Sequence, residues 1–188
     1  MAMSDADIQQ GLRLGERAAC EALVRRHHER IYRLLWADTG SAEDAQDLTQ
    51  ETFLAVWRKP DRAAKAENLE AWLCGVALKQ ARSLRRRVLR RKSISEAVSP
   101  PTPVDFPSTT QLLDQAELLD AVRDLPAKYR HPLLLHALHG LSHREVAQAL
   151  GISDDTARWR VSEARKRLRA QLEDEEEEQH VTCEAPAE

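Results

Sequence analysis

A proline-rich segment near the middle of the chain most limits what this chain can fold into. Residues 93–110 (SISEAVSPPTPVDFPSTT) contain four prolines and seven serines or threonines. Proline breaks helices, and the segment has few apolar side chains to bury, so we predict a flexible linker over 93–111. The 188-residue chain is therefore expected to fold as two separate parts.

Apolar residues at helical spacing on both sides of the linker predict an all-α protein with two small helical domains. The spacing places one domain over 5–92 and the other over 112–172. In the first domain, Ser41 has the chemistry of a helix N-cap, and the helix that follows is expected to stop before Pro60. A polar loop is predicted over 60–67, followed by a long helix from Leu69.

The net charge of −3 conceals an uneven distribution. Residues 173–188 hold eight acidic residues and no Lys or Arg, so residues 1–172 hold all 28 Lys and Arg but only 23 of the 31 acidic residues. The body of the protein is therefore basic, at +5, and ends in an acidic tail. We predict that the tail is a disordered, solubilising segment. The alternative hypothesis is that it mimics DNA and covers basic surfaces.

Several classes of protein are disfavoured by composition. No apolar run approaches the ~18 residues that cross a bilayer, and the first residues lack a secretion signal, so we expect a cytoplasmic protein without membrane insertion. Three scattered cysteines form neither a disulfide framework nor a zinc ribbon. Because no phosphate-binding loop, nucleophile elbow or HExxH motif is present, we predict neither enzymatic activity nor a cofactor.

A run of positive charge ends the long helix of the first domain. Eight Lys and Arg residues and no acid lie between Lys79 and Lys92. Lys79, Arg82 and Arg86 share one helical face. So many like charges would repel one another without a counter-charge, which indicates a polyanionic partner such as a phosphate backbone.

Residues 141–172 have the pattern of a helix-turn-helix. Ser142 and Glu145 form a capping box, Gly151 occupies the turn, and Ser153 is the expected N-cap of the second helix. That helix is basic, as in motifs that read the major groove. Arg158 and Arg160, near its start, are the candidates for base edges, and Trp159 is expected in the core. The candidates for phosphate contacts are Arg165, Lys166, Arg167 and Arg169.

A zinc site is an alternative role for the nearby histidines. His136, His139 and His143 would converge on an ion if they lay on one continuous helix. Gly140 and Ser142 interrupt that helix, and no neighbouring Cys or acid completes the ligand set. We therefore predict no metal site in this segment.

These motifs together resemble the extracytoplasmic-function sigma factors, the two-domain branch of the sigma-70 family. Residues 44–57 resemble the family helix that docks on the clamp helices of RNA polymerase, and 69–87 resemble its promoter-reading helix. Residues 125–135, 140–147 and 151–153 resemble its fourth domain. The three regions occur in the family order and are separated by a linker of suitable length.

The resemblance implies a function and a set of roles. The protein would bind core RNA polymerase, through the clamp helices and the flap, and direct it to promoters, with an anti-sigma factor as a further partner. The 60–67 loop would hold a base flipped from the minus-ten element, while Phe53 and Trp57 would pack internally. The implied polymerase-binding residues are Asp44, Asp47 and Glu51. The implied minus-ten residues are Arg58, Lys59, Arg62, Lys65, Lys79, Arg82 and Arg86. The implied minus-thirty-five residues are Thr156, Arg158, Arg160, Arg165, Lys166 and Arg169.

A stand-alone helix-turn-helix regulator that binds operator DNA is the alternative function. It would account for the C-terminal domain but leaves the acidic helix and the basic run of the N-terminal domain unexplained. Specific DNA binding without polymerase would distinguish this alternative from a sigma factor.

Overall fold

Helices make up the secondary structure of the computed structural model, which describes residues 3–92 and 116–183. Within those residues there is no strand, which confirms the predicted all-α class. The helices are α1 (Asp5–Arg13), α2 (Arg17–Thr39), α3 (Ala42–Arg58), α4 (Pro60–Ala64), α5 (Leu69–Lys92), α6 (Ala116–Asp124), α7 (Ala127–His139), α8 (His143–Leu150) and α9 (Asp154–Cys183). None of the described helices is both long enough and apolar enough to cross a bilayer.

The N-terminal half, α1–α5, is built around α2, which packs against α1, α3 and α5. Apolar side chains from each of these helices are fully or almost fully buried, and each burial stabilises the fold by about 1.5–3 kcal/mol. The largest are Ile8, Leu12, Leu23, Ile31, Leu34, Leu35, Val56, Leu73 and Leu78. This core holds α3 and α5 in fixed positions relative to each other.

The structure confirms the predicted start and end of α3 and corrects the segment that follows. The Ser41 hydroxyl accepts a hydrogen bond from the Asp44 backbone N–H at 3.2 Å, and α3 ends at Arg58. The segment predicted as a loop over 60–67 begins instead with the short helix α4. Pro60 is its first residue, a position where proline's fixed φ suits a helix and its missing N–H costs nothing.

The helix-turn-helix has the predicted local structure. Ser142 and Glu145 form the capping box of α8, and Ser153 accepts a hydrogen bond from the Thr156 backbone N–H at 3.2 Å. Gly151 has a φ of +66°, a left-handed conformation that favours glycine because other residues have a Cβ. In α9 the residues Ala157, Val161 and Ala164, which lie at helical spacing, are buried.

The acidic C-terminal segment differs from its prediction. We predicted a disordered tail over 173–188, but α9 continues as a helix to Cys183. Residues 184–188, like the predicted linker over 93–111, lie outside the described residues.

The two halves pack against each other, α5 on α8 and α2 on α7. At Gly75 the helices approach so closely that an added Cβ would lie 2.3 Å from the carbonyl oxygen of Ala149. A buried ion pair joins Asp38 to Arg130 with a 2.6 Å contact. This interface was not expected, because the predicted linker divided the chain into two separate parts.

Candidate nucleic-acid and polymerase interfaces

One face of α3 carries carboxylates that have no cationic partner. Asp44, Asp47 and Glu51 lie along this face at helical spacing, with Asp47 and Glu51 exposed and Asp44 partly exposed. None of them forms an ion pair with any residue that the structure describes. Leu54, which is 50% exposed, extends the same face. A rigid helix with free negative charge and an exposed apolar side chain suits a basic protein surface.

Trp57, at the end of α3, is exposed, contrary to the prediction. We expected both Phe53 and Trp57 to pack internally, yet Trp57 is 57% exposed. The buried stripe of α3 passes through Thr52 and Val56, and Trp57 lies about 100° around the helix from it. Phe53 is half-buried and stacks on the ring of His28, so its predicted packing is correct.

A basic cleft of about 360 Å³ lies between α5 and the end of α3 with α4. Three of the predicted DNA-binding residues line it: Lys59, Arg62 and Lys79. The half-buried ring of Trp72 also lines the cleft, together with the aliphatic side chain of Val76. Cations beside an aromatic side chain can hold a nucleotide phosphate while its base stacks on the ring.

The other predicted minus-ten residues lie outside this cleft. Arg58, Lys65 and Arg86 are exposed but are not among its lining residues. Arg82 faces a second cleft, between α5 and the C-terminal half, which Lys128 and Arg160 also line. The helical stripe predicted from Lys79 to Arg86 is thus divided between two surfaces.

A shallow basic groove runs along the exposed side of α9. The groove brings together four of the predicted residues: Arg158, Arg165, Lys166 and Arg169. His143, from α8, borders the groove, and burial together with the neighbouring His136, Arg158 and Arg165 lowers its pKa. No described carboxylate lines the groove, so its positive potential is available to an anionic ligand.

Two other residues predicted for this surface have different surroundings. The Thr156 hydroxyl lies 2.7 Å from the Ser153 hydroxyl, at the capped start of α9. Arg160 lines the cleft between the halves rather than the groove. Residues 158 and 160 are two positions apart on a helix, so they face different directions.

Trp159 is not a core residue, contrary to prediction. It is 57% exposed, and its ring meets the edge of Tyr129 with the centroids 6.0 Å apart. The buried stripe of α9 runs through Ala157 and Val161, and residue 159 lies between them on the opposite side.

The structure adds three residues that the sequence analysis did not assign: Trp72, Arg87 and His143. Trp72 and Arg87 belong to a stripe with Val76, Lys79 and Ser83, in steps of three or four residues. Helical periodicity extended from Lys79 in both directions would have found them. His143 borders the groove because of the angle between α8 and α9. The periodicity of a single helix gives no information about that angle.

The histidines considered for zinc do not converge. His136 Nδ1 lies 2.8 Å from the carbonyl oxygen of Leu141, and the rings of His136 and His143 stack with centroids 4.5 Å apart. His139 turns away from both and faces α5, where its Nδ1 lies 2.9 Å from Glu70 Oε1.

Comparisons with known proteins identify the family of this chain. The family Sigma-70 region 2 matches residues 23–91, and Sigma-70, region 4 matches residues 115–168. The ECF RNA polymerase sigma factor SigC of Mycobacterium tuberculosis is 30% identical, and the alignment covers 85% of this chain and 86% of SigC. SigE of Mycolicibacterium smegmatis, also an ECF sigma factor, is 32% identical over 84% of this chain, which spans 64% of SigE.

A solved structure has the same fold. The sigma factor RpoE from Bartonella quintana, in complex with the anti-sigma factor NepR, superposes with a TM-score of 0.71 at 25% identity, covering 81% of this chain and 96% of RpoE. The two family matches include α3, α5 and the helix-turn-helix, the elements that carry the acidic face, the basic cleft and the basic groove. The chain belongs to the extracytoplasmic-function sigma factors of the sigma-70 family.

Proposed function

We propose that this protein binds core RNA polymerase and directs it to promoters with two DNA surfaces, the cleft beside α5 and the groove on α9. The observation that carries the proposal is the division of charge between elements. An unpaired acidic face on α3 and two separate basic surfaces occur in one chain. A transcription initiation factor needs one surface for polymerase and others for DNA, and the polymerase performs the chemistry.

The polymerase contact is assigned to the acidic face of α3. Asp44, Asp47 and Glu51 would meet basic residues of the clamp helices, and Leu54 would bury its exposed side chain there. Because the carboxylates have no partner in the described structure, docking breaks no existing ion pair involving them. The C-terminal half would contact the flap.

The minus-ten contact is assigned to the cleft beside α5. Lys59, Arg62 and Lys79 would hold phosphates of the displaced strand, and Trp72 would offer its ring to an unpaired base. Arg58, Lys65, Arg82 and Arg86 would add charge along the path of the strand. The short helix α4 positions Arg62 at the rim.

The minus-thirty-five contact is assigned to α9. Arg158, near the start of the helix, is the candidate for a base edge, while Arg165, Lys166 and Arg169 would meet phosphates. Arg160 would reach DNA only if the cleft between the halves opened, because it lines that cleft.

An anti-sigma factor is a further proposed partner. The related RpoE was solved in complex with the anti-sigma factor NepR. In this chain, such a partner would compete with polymerase for the unpaired acidic face of α3 or for the interface between the halves.

Transcription in vitro with core polymerase tests the proposed polymerase contact. Asp44→Ala/Asp47→Ala is expected to weaken polymerase binding at least tenfold, because it removes two unpaired charges from a charge-complementary interface. Glu29→Ala is the control, since it removes an exposed carboxylate of α2 outside this face. Full transcription by the double variant would overturn the assignment.

Promoter selection tests the proposed minus-thirty-five contact. Arg158→Ala is expected to reduce promoter-specific transcription about tenfold, the effect of losing one base contact. Arg167→Ala is a matched control on the same helix: Arg167 was expected to contact phosphate, but it bonds to Glu163 at 2.8 Å and lies over Tyr129 instead of the groove. Equal effects of both variants would contradict the assignment, and tight specific DNA binding without polymerase would favour a stand-alone regulator.

A further inference from the structure

Three metal-ligating side chains meet where α5 packs on the C-terminal half. Glu70 and Cys74 lie four residues apart on α5 and so share one face of it, and His139 reaches them from the end of α7. The carboxylate, sulfur and imidazole ligand atoms all lie within 4.8 Å of one another. Cys74 and His139 are buried and Glu70 is half-buried.

The spacing of these atoms fits a tetrahedral ion. Cys74 Sγ lies 3.6 Å from His139 Nδ1. With ordinary Zn–S and Zn–N bond lengths, tetrahedral geometry separates those two ligand atoms by about 3.6 Å. Glu70 Oε1 lies 2.9 Å from the same nitrogen and would move away from it by about half an ångström to take a third tetrahedral position.

Glu70 and Cys74 compete for the same nitrogen of His139. Nδ1 of His139 faces both Glu70 and Cys74. A proton on that nitrogen can be directed at the carboxylate or at the sulfur but cannot serve both equally. A cation placed among them would accept lone pairs from all three at once.

The surroundings resemble those of a supported metal ligand. Arg30 Nη2 lies 2.6 Å from Glu70 Oε1 and so orients the carboxylate, and it also donates to the backbone carbonyl oxygen of His139 at 3.1 Å, which ties the end of α7 to the same arginine. An outer partner of this kind fixes the position of a ligating carboxylate. Because the thiolate is the form of cysteine that binds a metal, metal binding at Cys74 would release the thiol proton.

We propose that Glu70, Cys74 and His139 bind one zinc-class divalent ion between the two halves of the molecule. Nitrogen, sulfur and oxygen ligands together suit zinc, and a water molecule would occupy the fourth position. Because α5 and α7 belong to different halves, the ion bridges them. By thermodynamic linkage, zinc then stabilises the packed arrangement, and opening of that arrangement weakens zinc binding.

Metal titration of the full-length, chelator-treated protein tests the site directly. We expect one equivalent of Zn²⁺ to bind in competition with a chromophoric chelator, and Co²⁺ to produce a thiolate-to-metal absorption band. Cys74→Ser should abolish the band and weaken Zn²⁺ binding about 100-fold or more, beyond the effect of losing an outer partner. His139→Gln should also weaken Zn²⁺ binding. This result would distinguish a site formed by Cys74 and His139 together from binding to the Cys74 thiol alone.

Cys20→Ser and Cys183→Ser are the matched controls and should bind as the unmodified chain does. Circular dichroism verifies that every variant keeps its helices. Zinc should raise the melting temperature of the unmodified chain and of both controls but not that of Cys74→Ser. The proposal is overturned if there is no saturable binding, if binding survives in Cys74→Ser, or if binding is lost only with Cys183.

Discussion

Arg130 is the largest side chain that is fully buried in the described structure, and it depends on Asp38. Its Nε donates to Asp38 Oδ1 at 2.6 Å, and its Nη1 donates to the carbonyl oxygens of Arg123 and Leu125. A buried guanidinium without such partners would be strongly destabilising. The two residues are 92 positions apart, so no helical spacing could have predicted the pair.

Asp38→Asn should destabilise the protein in a pH-dependent way. Burial alone would raise the pKa of Asp38, but His131 and Arg130 outweigh it and lower the pKa to about 2. Because the pKa is lower in the folded state, the pair contributes fully above about pH 4 and loses its contribution as the pH falls towards 2. Urea unfolding at about pH 7 should show a loss of about 3 kcal/mol in Asp38→Asn.

The exposed pair of Glu29 and Arg33 provides the control for this prediction. Both side chains are more than half exposed, so Glu29→Gln should change the unfolding free energy by about 0.5 kcal/mol or less. The difference between Asp38→Asn and the unmodified chain should shrink as the pH falls from about 4 towards 2. A constant difference over that range would show that the ion pair is not its source.

At the scale of elements, the approach of α5 to α8 depends on one residue without a side chain. Glycine inside a long helix costs about 1 kcal/mol relative to alanine. At Gly75 the cost is offset by packing, because a Cβ there would collide with the carbonyl oxygen of Ala149. That oxygen belongs to the backbone and cannot move aside as a flexible side chain would.

Gly75→Ala should therefore separate α5 from α8 without unfolding the N-terminal half. We expect a larger radius of gyration by small-angle X-ray scattering, with helix content unchanged. Ser83→Ala is the control on the same helix. It also raises the helix propensity of α5, but residue 83 lines the cleft on the other side of the helix, away from α8. Compact scattering from Gly75→Ala would mean that the helices adjust to the added methyl group.

The acidic end of α9 offers a second prediction at this scale. Deleting 173–188 removes eight acidic residues and no Lys or Arg. If this segment competes with DNA for the basic surfaces, the deletion should raise DNA affinity more at low salt than at high salt. Replacing the eight acidic residues with Gln and Asn keeps the length and should have the same effect. Unchanged affinity in both variants would leave the segment with a solubilising role.

At the scale of the whole molecule, if the cleft and the groove bind the two promoter elements as proposed, the packed halves cannot reach both elements at once. The minus-ten and minus-thirty-five elements are named by their positions in base pairs, so they lie about 25 base pairs apart. At 3.4 Å per base pair, this separation is about 85 Å of duplex. A compact chain of this size is only about 40 Å across. The segment predicted as a linker could extend to about 55 Å, so the halves are expected to separate on the polymerase.

Energy transfer between dyes on the two halves tests this opening. Arg17→Cys and Ala170→Cys introduce one exposed labelling site in each half. Cys20 and Cys183 are replaced by Ser, and Cys74 stays unlabelled because it is buried. Transfer should be high for the free protein and fall when core polymerase is added. Asp44→Ala/Asp47→Ala should keep high transfer. High transfer in a complex that co-purifies with polymerase would contradict opening.

Much of the fold and part of the candidate site follow from local sequence. The caps at Ser41 and Ser142, the turn at Gly151 and the four basic groove residues of α9 were predicted, because each depends on neighbours within a few positions. The exposure of Trp57 and Trp159 was predicted wrongly. A large aromatic side chain suits a core by its chemistry, but its direction is set by the buried stripe of its helix.

The order of helices, their charges and the division of the chain are properties of the sequence, since short-range hydrogen bonding and periodicity produce them. The interface between the halves is a property of the tertiary fold. It pairs Asp38 with Arg130 and brings Cys74 to His139, which lie 65 positions apart. Such contacts depend on how two finished helical surfaces fit together. The spacing of residues along one helix cannot predict which residues of two helices will meet.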